Sequence, residues 1–450
     1  MKNDLKLTIE VEYSLFQNFE IPNWKFIIGM PLNQAIDIIS NHTGDYFKKV
    51  DFLYSYKVPM HMDIIITLFN EGIKLIFDSK TQRLKMIEIY DLSLVSLYYC
   101  NKKFNEIPDL PTKERITLIF GFTKTPEYDY NKKCYLLSYR SGLSFSLSYI
   151  NHNINPNQQC IYPSANMNPL VATAAFIYDG HSINDADIPK EIPLECFLGN
   201  ILLEELVINR EDYRTSSFDF FLVLSENSTN VISSSNLQAI NSNRDDKLIK
   251  IKRSVKFGDS VQYVITALGA PNRIYFKTED KMKIHSSKSQ KEKLESKMQN
   301  RNSDYFYNYL TLGVDIMFRF EDNCVSKLIL HTNFPDEYLF NTYYRCFFTL
   351  SLDRDVSSVD NIIISDLNNI ASKFQVTTLT KWSQIQSHIS VRADPVPVEI
   401  SRFIDQCHKS GVCSETMAYG VDDLIFEIMP ENDHIASLSI YEIDDTVPES

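Results

Sequence analysis

A three-strand pattern recurs along this chain and limits the folds that it can adopt. Residues 63–72, 73–77 and 84–90 are rich in apolar and β-branched side chains and are separated by short polar turns. Such a pattern predicts an antiparallel meander, in which neighbouring strands are joined by tight hairpins. Related patterns occupy residues 305–330 and 415–441, and a copy with a longer second connection spans residues 135–178. The sequence therefore predicts four meanders.

A glycine stands before the middle strand of each predicted meander. These glycines are Gly72, Gly142, Gly313 and Gly420. Glycine adopts positive φ angles at little cost, whereas other residues do so with more strain. We therefore expect all four to lie in the hairpin that leads into the middle strand.

A short helical pattern precedes each predicted meander. The helical stretches are residues 32–39, 112–120, 261–268 and 380–389. Apolar residues in them recur at the spacing of one buried helix face. The predicted fold class is therefore α+β and β-rich, with four repeated helix-plus-antiparallel-meander modules in two pairs. The rival interpretation is a single irregular β-sandwich with incidental helices.

The positions of these modules predict that the chain is divided into three parts. Residues 1–180 hold the first pair, and residues 256–450 hold the second pair with a basic insertion at 277–301. Residues 181–255 form a β-rich connecting segment, with strands expected at 201–208, 218–224 and 248–255. Its Ser- and Asn-rich stretch 227–246 has few large apolar groups and is predicted to be a disordered loop. One further strand is expected after the first module of each pair, at 95–100 and 342–346.

The charge balance narrows the classes of partner. The 450 residues include 45 Lys and Arg against 58 Asp and Glu, a formal net charge of -13. An acidic surface repels nucleic acid, so we expect no nucleic-acid partner. No apolar run approaches the ~18 residues of a membrane-spanning helix. The first ten residues include the charged Lys2, Asp4, Lys6 and Glu10, where a signal peptide would be apolar. The eight cysteines are scattered singly. We expect a cytoplasmic protein with free thiols.

Residues typical of catalysis occur without a complete constellation. Ser144 lies in a sequence like that of a hydrolase nucleophile elbow, but Ser146 replaces the second glycine, so we interpret Ser144 as a sheet residue. His61 with Asp63, and His331 with Asp336, are possible acid/base pairs, although a structural role is the simpler interpretation for each histidine.

Cofactor and metal motifs are incomplete as well. Cys407, His408 and Cys413 lack a fourth metal ligand at the usual spacing. No nucleotide-binding glycine loop is present among the 12 glycines. Trp24 and Trp382 are expected to be core anchors. The sequence predicts no cofactor, no metal and no small-molecule substrate, and it leaves open a hydrolase whose active site is unrecognised.

Residues 277–301 differ in charge from the rest of the chain. Basic side chains outnumber acidic ones there, in a chain that is acidic overall. The candidate membrane or partner contacts are Lys281, Lys283, His285 and Lys288. Each basic group near an anionic membrane contributes about 1 kcal/mol, enough for weak docking. The alternative is a solvated loop.

Several short runs resemble signature segments of a known family. Among them are 26–32, 72–78, 142–146, 196–200, 279–286, 331–333 and 434–437. They resemble, in consistent order, segments of the eukaryotic phagosome (phagophore) assembly factor family. The chain departs from the family pattern at 227–246, at 356–374 and after Tyr441.

This resemblance implies a non-enzymatic adaptor or regulator of autophagy. Family members act with a WD-repeat β-propeller protein of the breast-carcinoma-amplified-sequence type. The pair gathers at the phagophore assembly site, where phosphoinositides mark the membrane, so weak or indirect phosphoinositide contact is implied. An association with the Golgi and with Golgi-derived vesicle transport is the alternative that the family carries.

Overall fold

The structure is a computed structural model, and it describes fifteen stretches of the chain. These are residues 25–43, 47–95, 97–99, 102–103, 105, 110–139, 142–149, 169–197, 199–211, 213–225, 248–277, 303–352, 374–389, 395–402 and 414–443. The chain divides into two compact units, Met1–Cys196 and Phe197–Ser450. The strands of the predicted connecting segment thus share a unit with those of the predicted second pair. No helix within the described stretches is long and apolar enough to cross a membrane.

Four α-helices lie in the described residues, one at each position that the sequence predicts. They are α1 (Leu32–Asn41), α2 (Lys113–Phe120), α3 (Val261–Leu268) and α4 (Trp382–Ile389). Thr112 and Ser260 cap α2 and α3, because each side chain accepts a hydrogen bond from a backbone N–H of the first turn. Trp382 is buried and its ring stacks on Tyr419, which confirms its predicted place in the core.

The first unit holds an eight-stranded antiparallel sheet and a two-stranded ribbon. Its strands are β1 (Val50–Leu53), β2 (Ile64–Leu68), β3 (Ile73–Phe77), β4 (Leu84–Ile89), β5 (Tyr98–Tyr99), β6 (Lys102–Lys103), β7 (Glu127–Asp129), β8 (Cys134–Tyr139), β9 (Leu143–Tyr149) and β10 (Leu170–Tyr178). The sheet order is β1-β2-β3-β4-β10-β9-β8-β7. The last strands of two meanders, β4 and β10, therefore pair at its centre.

The second unit holds a further eight-stranded sheet and a five-stranded sheet. Its strands are β11 (Leu202–Glu211), β12 (Arg214–Ser225), β13 (Leu248–Val255), β14 (Arg273–Phe276), β15 (Tyr305–Tyr309), β16 (Val314–Phe318), β17 (Val325–His331), β18 (Phe348–Leu352), β19 (Phe374–Thr377), β20 (Val398–Arg402), β21 (Ser414–Val421), β22 (Leu424–Ile428) and β23 (Ile435–Tyr441). The eight-stranded order is β14-β15-β16-β17-β23-β22-β21-β20, and the five-stranded order is β13-β12-β11-β18-β19.

Antiparallel pairing dominates these sheets, and the single parallel pair among the described strands joins β11 to β18. The fold is thus α+β and β-rich with few helices, as the sequence predicts. In the second unit one apolar core joins residues of α3 and α4 to the inward faces of both sheets. Buried residues alternate with partly buried ones along β3, which shows why a period of two predicted this strand.

The predicted strand at 342–346 is wrong. Its β-prone residues lie in a loop fixed by backbone bonds to distant strands: Tyr344 N donates to Leu310 O, and Cys346 N donates to His331 O, at 2.8 and 2.9 Å. The strand begins two residues later as β18, which joins the five-stranded sheet instead of extending a meander. After the first module, the predicted strand at 95–100 is reduced to the two residues of β5.

Three of the four hairpin glycines occupy the predicted conformation. Gly72, Gly142 and Gly313 have φ angles of 66°, 81° and 70°. The prediction for Gly420 is wrong, because this residue pairs with Ile425 inside β21. The turn there falls two residues later, where Asp422 takes the positive φ of 54°. Aspartate tolerates this region better than most residues, so glycine is not required.

Candidate functional site

The predicted membrane or partner contacts lie outside the described residues. This applies to Lys281, Lys283, His285 and Lys288, and equally to the predicted loop 227–246. Trp24 and the possible metal ligands Cys407, His408 and Cys413 also lie outside. Strand β14 ends at Phe276, directly before the basic insertion.

The structure does not bring the predicted acid/base pairs together. Asp63 instead forms a salt bridge with Lys85, at 3.2 Å. His331, at the end of β17, reaches across to the neighbouring strand β16, where its Nε2 lies 2.9 Å from Oδ2 of Asp315. The pairing of His331 with Asp336 is therefore wrong. The register of β16 and β17 brings Asp315 beside His331, and the prediction did not include that register.

Asp315 is the centre of a buried polar network. It accepts hydrogen bonds from the Tyr343 hydroxyl, at 3.0 Å, and from Asn308 Nδ2, at 2.6 Å. The Tyr343 ring stacks on His331 with 3.8 Å between ring centroids. Burial and then the negative charge of Asp315 raise the pKa of Tyr343, so its hydroxyl stays protonated and donates.

Among the described residues, this network has two members of a catalytic triad and no third. A nucleophile has to contact the histidine nitrogen that faces away from the carboxylate. That nitrogen, Nδ1 of His331, is buried and has no hydrogen-bond partner among the described residues. The thiol of Cys346, also fully buried, has its pKa raised by that burial. The arrangement holds a loop against two strands, and none of the described residues in it is placed for covalent attack.

Ser144 has the structural role that the sequence predicts. Its hydroxyl is fully buried and bonds the hydroxyls of Ser138 and Tyr178, at 3.0 and 2.8 Å. These contacts lie within the first unit's sheet, since Ser144 pairs with Phe176 in register. Among the described residues no three His, Cys, Asp or Glu side chains are placed to hold a metal ion.

A second histidine, His434, lies in a cationic environment. Its ring stacks on Phe334 at 4.8 Å, and the Arg345 guanidinium lies 4.4 Å over the same Phe334 ring. Burial, and then the positive charges of Lys381 and Arg345, lower the pKa of His434 to about 4 despite the opposing charge of Asp433. The neutral imidazole is therefore part of the folded state.

This shift predicts a pH-dependent stability. Between pH ~6.5 and ~4 the unfolded chain binds a proton at His434 that the folded chain does not bind. The stability that the neutral His434 contributes is therefore complete above the pKa of the unfolded chain. It is lost as the pH falls toward the lower pKa of the folded chain. We expect the free energy of unfolding to drop by up to about 3 kcal/mol across this window.

Urea unfolding at pH 7, 5.5 and 4.5 measures this change, and His434→Phe is the matched variant, because phenylalanine retains a ring against Phe334 without titrating. The variant should show a shallower pH dependence than the wild type in this window. Equal slopes for the two chains would contradict the assignment.

Two exposed apolar surfaces were not predicted from the sequence. The first is the edge strand β14, where Ile274, Tyr275 and Phe276 are 53%, 49% and 50% exposed. The second is a row of tyrosine rings along β7 to β9, with centroids of neighbouring rings 5.0 to 5.8 Å apart. Its members are Tyr128, Tyr130, Tyr135 and Tyr149. Exposed apolar groups at a sheet edge are typical of protein-binding sites.

The fold and these surfaces define an α+β protein of antiparallel sheets whose exposed edges suit binding to other macromolecules. The chain belongs to the phagosome assembly factor 1 family, whose model matches residues 22–441. No solved structure matches this chain.

Relatives from animals and plants cover nearly the whole chain. A PHAF1 protein of Drosophila melanogaster is 35% identical over 424 residues, covering 93% of this chain and 91% of that protein. A PHAF1 protein of Caenorhabditis elegans is 29% identical, with 93% and 91% covered. One of Arabidopsis thaliana is 27% identical, with 93% and 90% covered. The predicted family is therefore confirmed.

Proposed function

We propose that this chain is a non-enzymatic adaptor of autophagy. It acts in a complex with a WD-repeat β-propeller protein of the breast-carcinoma-amplified-sequence type, and the complex gathers at the phagophore assembly site. The observation that carries this proposal is the match to the phagosome assembly factor 1 family over residues 22–441. The polar network around Asp315 supports it, because its histidine contacts no nucleophile among the described residues.

We also propose that the four meanders are copies of one helix-plus-meander module, arranged as two pairs. The strand orders of the two eight-stranded sheets support this, since each joins two meanders through their last strands. Gly72, Gly142 and Gly313 support it further, because each has positive φ before a middle strand. Residues 1–180, 181–255 and 256–450 are the corresponding parts of the chain.

Affinity purification tests the partner. The tagged full chain is expressed in its own cells and recovered under gentle lysis, before and after starvation, and the bound proteins are identified by mass spectrometry. We expect the β-propeller protein to be recovered with the chain and to be absent from a tag-only control. Recovery of the chain without any β-propeller protein would overturn the proposed complex.

Membrane recruitment is proposed to depend mostly on that partner. Lys281, Lys283 and Lys288, with His285 between them, lie in a segment where basic residues are interleaved with a few acidic ones. Ordering such a segment costs about 1 to 2 kcal/mol per residue, which offsets the attraction of a few lysines for phosphoinositides. We therefore propose weak, salt-sensitive contact at the phagophore.

Liposome flotation measures this contact. Vesicles with and without phosphoinositide are mixed with the purified chain at about 0.15 M salt. We expect a small floating fraction that falls further in the triple Lys→Glu variant at positions 281, 283 and 288. Tight flotation of the wild-type chain alone would assign recruitment to this chain and not to its partner.

A further inference from the structure

On one side, strand β14 (Arg273–Phe276) has no neighbouring strand among the described residues. It is the terminal strand of the eight-stranded sheet in the second unit. Lys277 N donates to Asp304 O at 2.8 Å, so the next hydrogen-bonded pair along this antiparallel ladder is Tyr275 with Phe306. Because such pairs alternate, the N–H and C=O groups of Ile274 and Phe276 point away from β15. A segment that adds to this edge would bond these groups.

Three other edge strands, β20, β13 and β7, carry features that oppose strand addition. β20 follows Pro395 and Pro397. Along β13, Lys250 and Lys252 form salt bridges with Glu204 and Asp219, and the three-residue β7 carries charged Glu127 and Asp129. Charges, prolines and short length are the usual protections of an edge strand.

β14 is also short, but within its four residues it has no proline, and its one charged residue is Arg273 at one end. Its register with β15 is continuous, without a bulge. Three consecutive large apolar residues, Ile274 to Phe276, are each about half exposed. On one face of the sheet the Tyr275 ring lies 6.4 Å from Phe306, and on the other face the Phe276 ring lies 5.7 Å from Tyr305. This edge is suited to pairing with another strand.

The charges around the strand indicate what pairs with it. Arg273 and Lys277 are exposed at its two ends, and neither forms a salt bridge with a described residue. A second copy of this chain would place its own Arg273 and Lys277 beside these two cations along one short edge. Repulsion between the four like charges disfavours that pairing. An occupant with carboxylates at both ends of an apolar strand complements them.

We propose that β14 binds an extended segment of a partner protein by strand addition. The segment has a short run of apolar residues at its centre. It carries Asp or Glu at both ends, opposite Arg273 and Lys277. Main-chain bonds to Ile274 and Phe276 supply affinity, while the side chains and the two cations supply selectivity. The inference rests on the proposed function only in treating the chain as a binding protein.

A selection from phage-displayed random 12-residue peptides on the immobilised full chain is the first test. We expect enriched sequences to contain a short run of β-branched or aromatic residues between acidic residues. Enriched sequences without acidic ends, or no enrichment over an unrelated bait, would overturn the inference.

Binding of an enriched peptide to variants is then measured by fluorescence anisotropy. Ile274→Pro removes an outward N–H but no bond to β15, and proline is tolerated at such edge positions. We expect at least about tenfold weaker binding for Ile274→Pro, and a smaller loss for Ile274→Ala, which keeps the N–H. The double variant Arg273→Glu, Lys277→Glu should bind less than the wild type and gain affinity for the same peptide with lysines at its ends.

Thermal unfolding shows which variants fold. If Ile274→Pro does not fold, Ile274→Ala and the double variant Arg273→Glu, Lys277→Glu still test the proposal. A folded Ile274→Pro chain that binds as tightly as the wild type would overturn strand addition. The affinity purification described above separates this inference from the proposed function. Recovery of the β-propeller protein without any peptide enrichment would overturn the edge site alone.

Discussion

Replacing Gly313 with alanine is expected to destabilise the second unit by more than about 3 kcal/mol. Gly313 has a φ of +70°, where a side chain is strained. A Cβ built on it would lie 2.3 Å from Tyr344 O and 2.8 Å from Cys346 N. Both are backbone atoms of a loop that is hydrogen-bonded to the neighbouring strands, so neither can move aside without breaking those bonds.

Gly420→Ala is the matched control. Gly420 has an ordinary strand conformation, and a Cβ on it would meet nothing within 4 Å. We expect the change to alter the free energy of unfolding by less than about 1 kcal/mol, with a small gain from reduced backbone entropy. Urea unfolding followed by circular dichroism compares the two variants. Equal losses would contradict the close approach of the loop to the hairpin.

Removing the guanidinium of Arg210 is expected to cost about 3 to 5 kcal/mol. Arg210 Nη2 lies 2.7 Å from Oδ1 of Asp423, and the two side chains are 4% and 2% exposed. The other oxygen of Asp423 accepts a hydrogen bond from Thr215 N, at 2.7 Å. This pair connects the turn between β11 and β12 to the turn between β21 and β22. Arg210→Met would leave a buried carboxylate without its cation.

Two comparisons test this account. Lys250→Met breaks an exposed pair with Glu204, whose side chains are 45% and 47% exposed, and should cost less than about 1 kcal/mol. The double variant Arg210→Met, Asp423→Leu removes both charges and should recover much of the loss. The account fails if Arg210→Met costs no more than Lys250→Met in denaturant unfolding.

The strands and helices were predictable because local periodicity determines them. Buried residues alternate with partly buried ones along β3, and serine or threonine caps begin α2 and α3. Features set by distant pairing were not predictable in this way. His331 contacts Asp315 only because β16 and β17 are adjacent in register, and residues 342–346 form a loop because Leu310 and His331 bond its backbone.

The exposed edge illustrates the same limit for the candidate site. The sequence from Arg273 to Lys277 shows three large apolar residues between two cations, which is the signal that was available. Whether such a strand is central or terminal depends on the order of the whole sheet, and local patterns do not encode that order. Positions 281, 283, 285 and 288, which were predicted from charge, lie outside the described residues and stay a prediction.

The central proposal is that this chain works by binding and not by catalysis. Its most direct test is rescue of autophagosome formation in cells that lack the chain, comparing the wild type with His331→Gln. The glutamine amide nitrogen takes the place of Nε2 and can still donate to Asp315, but glutamine cannot act as a general base. Loss of such a base costs an enzyme about 10² to 10⁴ in rate. The account predicts that both chains restore the same number of autophagosomes. A folded His331→Gln chain that still binds the β-propeller partner but restores none would contradict it.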